Sequence, residues 1–314
     1  MDTEFWPLPW QEQQWAWLLE LSASARLPHA LLLAGPSGTG KAGFAAHFAK
    51  LLLCSDRGSQ PCGSCRHCRL VAAASHPDLV RVQPAEPGKG IRIDQVRALR
   101  EFCAARPHQS GWRVILIEPA EALNASAANA LLKTLEEPGA ETLLLLVTHE
   151  PGRLPATVRS RCRLLRFAAP DGRAGLAWLR HRLSAAADAG ALLQAAGGRP
   201  LRALALAAPE TAAQLAQLER LATAVADGTL VPPAAAAESA KLDWALASDA
   251  LLARLAGRIR QSVAQRRPAP VLFDCLDALV EARRELAASP NLNAELVWDR
   301  LWLAWRRAGV AGGS

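Results

Sequence analysis

The sequence predicts an α/β unit built on a parallel sheet with helices on both faces, followed by an all-α region. Three observations predict it. Up to about Phe167, short apolar runs alternate with helix-like stretches. A glycine-rich phosphate-loop pattern joins the first apolar run to the helix after it. Beyond Pro170 the strand-like runs stop, and Ala/Leu-rich amphipathic segments take over.

The runs Leu31–Ala34, Leu79–Val82, Val114–Ile117, Leu143–Thr148 and Leu164–Phe167 are each short and apolar, which is the pattern of a strand buried on both faces. The helical stretches between them include Ala42–Leu53, Ile93–Ala105 and Ala125–Glu137. Strand and helix in alternation imply a parallel sheet covered on both sides. In the second half, helices break at Gly197-Gly198-Arg199-Pro200, at Val231-Pro232-Pro233 and at Ser289-Pro290. The expected division is therefore 1–168 for the α/β domain, 169–208 for a small helical unit and 209–314 for a larger helical domain.

Length and composition bound the function. A chain of 314 residues is long enough for about two domains at roughly 150 residues each, so no disulfide framework is needed. Hydrophobic residues at 51% and charged residues at 21% are ordinary globular usage, which excludes a largely disordered chain. The formal charge of +7 permits an anionic partner without demonstrating one. Met1–Trp10 lacks the basic and apolar regions of a signal peptide, and no apolar run approaches bilayer length, so a cytoplasmic protein is expected. Seven cysteines is an odd count, and four of them crowd between Cys54 and Cys68, which in a reducing compartment suggests metal.

The segment Gly35-Pro36-Ser37-Gly38-Thr39-Gly40-Lys41-Ala42 matches G-x-x-x-x-G-K in the required strand–loop–helix setting. Glycines let backbone N–H groups wrap phosphates, Lys41 meets their charge, and the helix N-terminus favours an anion. Ala42, however, stands where Ser or Thr normally ligates Mg²⁺. The second half of such a site is an apolar strand ending in acids. Val114–Ile117 ends in Glu118, which suits the metal-holding acid, but Pro119 replaces the residue that would polarise water. The pattern admits ATP and argues against its hydrolysis.

Cys54, Cys62, Cys65 and Cys68 form two C-x2-C knuckles that share a cysteine, plus one distal thiol. That set suits tetrahedral Zn²⁺ with every position filled by sulfur, and hence a structural metal. His67 and His76 are substitute ligands on this reading, but solvated loop histidines describe them better. Cys103 and Cys275 read as buried small hydrophobes.

Further motifs follow the cysteines: Ser75-His-Pro-Asp-Leu79, Ile91-Arg-Ile-Asp-Gln-Val-Arg97, Asn129-Ala-Leu-Leu-Lys-Thr-Leu-Glu-Glu-Pro138, Leu154-Pro155 and Ser160-Arg161-Cys162. With the cysteine module placed after the first phosphate-loop helix, they resemble the bacterial DNA polymerase III clamp-loader subunits of the AAA+ family. The likeness is close over about 29–167 and one of layout beyond. Ala42 and Pro119-Ala120-Glu121 resemble the family's stator branch, whereas the motor branch (gamma/tau) keeps Ser/Thr after the lysine and an Asp-Glu pair on the second strand.

The resemblance implies an AAA+ domain, a helical lid and a helical collar that holds a hetero-pentamer together. It implies gamma/tau and delta subunits as partners, with the sliding clamp and primer–template DNA engaged through the assembly. It also implies that Arg161 reaches ATP on a neighbouring subunit as an arginine finger in trans, a task suited to a fixed charge and a bidentate fork. Thr148 matches the sensor-1 position, and Arg199 and Arg202 compete for sensor 2. Arg159 and Arg163 are expected to face solvent.

Trp298, Trp302 and Trp305 share one helix face, which reads first as core packing and second as a subunit contact. The N-terminal tryptophans lie before the phosphate loop, where Trp6 or Pro7 would border an adenine pocket in the family. Two rival readings remain. An active motor-type ATPase would rest on Lys41 and Glu118, and a zinc-ribbon nucleic-acid binder would have only Arg66 and Arg69 as bases within the knuckles.

Overall fold

Five parallel strands form one sheet in the order β2-β3-β4-β1-β5. They are β1 (Ala30–Ala34), β2 (Leu79–Val82), β3 (Arg113–Ile117), β4 (Thr142–Thr148) and β5 (Arg163–Arg166). The computed structural model describes residues 6–56, 58–86, 89–104, 106–107, 111–184, 187–288 and 292–309. The expected helix end at Ala105 and the break at Ser289-Pro290 lie outside these.

Every strand expected from the apolar runs forms. Three begin on a polar residue, Arg113, Thr142 or Arg163, because the backbone joins the ladder whether or not the side chain is apolar. Arg113 is fully buried, and its guanidinium donates to the carbonyls of Phe102, in the last turn of α4 (Ile93–Ala104), and of Arg106 just beyond it, 4.6 Å from the Phe102 ring. A cation at the negative end of a helix offsets part of its burial cost.

The strand pleat sorts side chains between two cores. Leu31, Leu33, Val114, Leu116, Leu143, Leu145 and Val147 face one side. There they meet α1 (Glu12–Ala23), α2 (Lys41–Leu53) and α3 (Arg66–Ala72). Leu32, Ile115, Ile117, Leu144 and Leu146 face the other, against α4 (Ile93–Ala104) and α5 (Ala125–Glu136). Short helices α6 (Ala156–Arg159) and α7 (Gly172–Arg180) follow. Because β1 lies between β4 and β5, the loop after it opens at the C-terminal edge of the sheet, where such folds bind ligands.

The chain separates into two compact units, Met1–Arg182 with Gly198–Arg202, and Leu183–Gly197 with Ala203–Ser314. The second unit is helical. It holds α8 (Ala189–Ala195), most of α9 (Pro200–Leu206), α10 (Pro209–Ala226), α11 (Pro232–Ser239), α12 (Trp244–Ala264), α13 (Pro270–Ala288) and α14 (Ala294–Arg307).

The three tryptophans of α14 are buried in this unit's own core, with Trp302 donating to Ser239 Oγ at 3.1 Å and Trp305 to the Ala222 carbonyl at 3.1 Å. Each such side chain contributes about 3 kcal/mol or less by leaving water. The core reading of this face therefore holds. Among the described residues no helix is long and apolar enough to cross a membrane.

Candidate functional site

The phosphate loop runs from Gly35 to Gly40 and opens α2. Gly40 has φ of +90° and lies against Leu8, Gln11 and Trp6, so a Cβ there would meet both strain and collision. The loop is tied down by the protein itself. The Thr39 carbonyl accepts from Trp10 Nε1 and Gln11 Nε2, each at 3.0 Å, and Thr39 Oγ1 donates to the Pro36 carbonyl at 3.0 Å. Lys41 Nζ donates to the carbonyls of Gly35 and Pro36 at 2.6 and 2.7 Å.

Ala42 packs its methyl on the adjoining core. Trp6 lies flat over Gly43, where an added Cβ would sit 2.0 Å from its ring. Arg199 and Arg202 both stand beside Gly38 at the loop tip, so proximity alone does not choose between them. Ser37 and Pro36 remain toward solvent at the loop's outer turn.

Burial brings the Lys41 ammonium down from 10.5 to about 8, opposed by Glu121 and then by Glu118. Glu121, to which the sequence pattern assigns no role, thus opposes the lowering together with Glu118. A single helical turn over Ala120–Ala122 carries it back to the loop, where Glu121 Oε1 accepts from the His149 N–H at 2.9 Å.

Glu121 Oε2 is buried without a protein hydrogen-bond partner. Burial pushes the Glu118 carboxyl up against the pull of Arg81 and Lys41. Burial, then Lys41, holds the His149 imidazole low. Thr148 is fully buried at the end of β4; its Oγ1 accepts from the Glu150 N–H at 3.2 Å and its carbonyl from Gly35 N–H at 3.3 Å. Five groups, Lys41, Glu118, Glu121, Thr148 and His149, therefore meet at one edge of the sheet.

At the other end of α2, the sulfurs of Cys54, Cys62, Cys65 and Cys68 all lie within 4.8 Å of one another, a group that could hold a metal ion. Backbone N–H groups aim at the sulfurs: Cys62 at Cys54 (3.4 Å), Cys65 at Cys62 (3.3 Å) and Cys68 at Cys65 (3.3 Å). Burial pushes the Cys68 thiol up to about 12. It works the same way on Cys65, but N–H donors from Cys68 and Ser55 overcome it and bring that thiol down to about 5.

The loop is fastened to the core, with Trp15 Nε1 donating to the Ser59 carbonyl at 3.1 Å and His47 Nε2 2.7 Å from Gln60 Oε1. His67 and His76 stand outside the cysteine group, and their rings hydrogen-bond each other at 2.9 Å. His76 is buried rather than solvated, because its Nδ1 accepts from the Asp78 N–H at 3.0 Å. Cys103 and Cys275 are buried, as expected.

Arg161 follows α6 on the surface. Its Nε and Nη2 donate to Glu136 Oε1 at 2.9 and 2.6 Å, and its Nη1 donates to the Thr157 carbonyl at 3.0 Å. Arg159 and Arg163 are exposed.

The family described as DNA polymerase III, delta subunit, matches residues 10–171. The DNA polymerase III subunit delta' of Pseudomonas aeruginosa is 44% identical over 198 residues, covering 62% of this chain and 60% of that protein. The subunit delta' of Escherichia coli is 38% identical over 200 residues, covering 63% and 60%. A DNA polymerase III subunit tau from Bacillus subtilis is 34% identical over 143 residues, covering 45% of this chain and 25% of that protein. The matched region thus spans about 60% of the length of the delta' relatives.

Proposed function

The chain belongs to the DNA polymerase III delta-subunit family, and we propose that it serves there as a delta-prime-type clamp-loader subunit, a stator that lends an arginine to its neighbour. The observation that carries this reading is a surface Arg161 in a chain whose phosphate loop is followed by Ala42 and whose third strand is followed by Glu118-Pro119. Phosphoryl transfer depends on charge neutralisation, which an arginine from an adjacent subunit can supply without a working site of its own.

The proposed layout is an AAA+ domain over 1–168, a lid over 169–208 and a collar over 209–314. Gamma/tau and delta subunits are the proposed partners in a pentamer that loads a sliding clamp on primed DNA in the cytoplasm. Gly35, Pro36, Ser37, Gly38, Thr39, Gly40 and Lys41 would supply the anion cradle for ATP, with Glu118 and Thr148 at its edge. The residues present do not suit Mg²⁺-assisted hydrolysis. Ala42 has no oxygen to offer, and the Lys41 ammonium is already held by two loop carbonyls.

Zn²⁺ fits Cys54, Cys62, Cys65 and Cys68. Tetrahedral bonds of about 2.3 Å place neighbouring sulfurs about 3.8 Å apart, and Cys54 lies 3.5 Å from Cys62 and 3.8 Å from Cys65. Bound there, the ion would crosslink the loop and supply no open position for catalysis.

The test replaces Arg161 by Ala in the reconstituted clamp loader and follows clamp- and DNA-stimulated ATP hydrolysis. A large fall in turnover is expected, toward the roughly 10³-fold low end of what an arginine finger contributes; unchanged turnover overturns the reading. A motor-type subunit would instead turn over Mg·ATP as an isolated chain, and none is expected here.

A further inference from the structure

We propose that Glu136 is a positioning residue for Arg161, fixing the guanidinium before it meets its anionic target; the inference rests on the arginine-finger reading above. Arg161 has five N–H groups. Nε and one on Nη2 go to a single oxygen of Glu136, and one on Nη1 goes to the Thr157 carbonyl. Two anchors from two helices, α5 and α6, therefore hold the fork from different sides. One N–H on each terminal nitrogen remains for a phosphate oxygen, and Arg161 keeps 36% of its side-chain surface open to receive it.

Stability does not explain the pair. Glu136 is half exposed at 51%, and a surface ion pair contributes little to folding. It is also the last residue of α5, where a carboxylate meets the negative end of the helix, an unfavourable place for it. What the carboxylate does supply is orientation. Arginine is a long, many-rotamer side chain, and a group held in its reacting geometry loses less freedom when it engages. A single carboxylate oxygen shared by two donors restrains the fork while leaving its terminal nitrogens able to contact a second anion.

The experiment uses the reconstituted clamp loader with Glu136→Ala, Glu136→Gln, Arg161→Ala and the double variant Glu136→Ala/Arg161→Ala. Stimulated ATP hydrolysis is read as kcat and KM separately. Glu136→Ala should lower kcat by about fivefold, the scale of lost orientation with the charge retained, and leave the KM for ATP within about twofold. Glu136→Gln keeps the shape and an oxygen acceptor, so it should recover most of that loss and stay readable even if alanine disturbs α5.

In the Arg161→Ala background, removing Glu136 should change nothing further. The proposal is overturned if Glu136→Ala leaves or raises kcat while Arg161→Ala lowers it, or if the double variant falls below Arg161→Ala alone. If Arg161→Ala itself leaves turnover unchanged, the arginine-finger reading has failed and this inference falls with it.

Discussion

Helix α2 carries a candidate site at each end, and the two ends have kept different things. At its C-terminus four thiols converge, and backbone N–H groups already point at three of them. At its N-terminus the loop has the shape of an anion cradle, with Ala42 offering no oxygen behind Lys41 and Pro119 none after the third strand. The difference lies in what sustains each shape. The cradle is held by protein contacts alone, from Trp10, Gln11 and Thr148 to the loop backbone, so it persists without phosphate chemistry. The cysteine loop is also tied to the core, through Trp15 and His47, but its four thiols lie together at one point that a metal ion could crosslink.

The largest expected effect tests that crosslink. Cys68→Ser removes a buried thiol from the group proposed to hold metal. It should abolish bound metal, measured by elemental analysis, and lower unfolding free energy by several kcal/mol, on the order of 5. Full stability without metal would erase the contrast between the two ends.

A smaller effect sharpens the description of the cradle. Lys41 has a folded value near 8 against 10.5 unfolded. Below about pH 8 both states are charged, and the fold bears the whole desolvation cost. Between about 8 and 10.5 the native state has shed a proton that the unfolded chain retains, so stability rises with pH, and above that window it levels. Relative to Lys41→Met, the parent chain should therefore gain by up to ~1.4 kcal/mol per pH unit across the window in denaturant titrations. A flat difference would mean that the ammonium is solvated rather than enclosed.

The smallest effect is a null. Ala42→Ser restores one hydroxyl but leaves Pro119 in place, so the isolated chain should still show no ATP turnover. Measurable hydrolysis would show that the loss at 119 is not decisive and that the N-terminal site is closer to working than its residues suggest.

The central strands β3, β4 and β1 were legible because burial on both faces leaves uninterrupted apolar runs, and the edge strands β2 and β5 from shorter and less buried ones. The misplaced starts at Arg113, Thr142 and Arg163 are polar residues that only a ladder partner reveals. The cysteine set was legible because its spacing is local. Glu121 was visible in the sequence, yet without a role, since Glu118 stood nearer the strand. His76 read as a solvated loop histidine because nothing in the sequence announces the Asp78 N–H or the His67 ring that it meets; it is in a loop but buried.

By itself the sequence determined the order of strands and helices along the chain, the thiol set at Cys54, Cys62, Cys65 and Cys68, and the Ala and Pro at 42 and 119, all of which are matters of residue identity and short spacing. Only the tertiary structure decided that Glu121 answers Lys41 more strongly than Glu118, and that Glu136 grips Arg161 from 25 residues away. Those pairings depend on where a turn of backbone delivers a side chain, and that is set by packing between elements rather than by the pattern within any one of them.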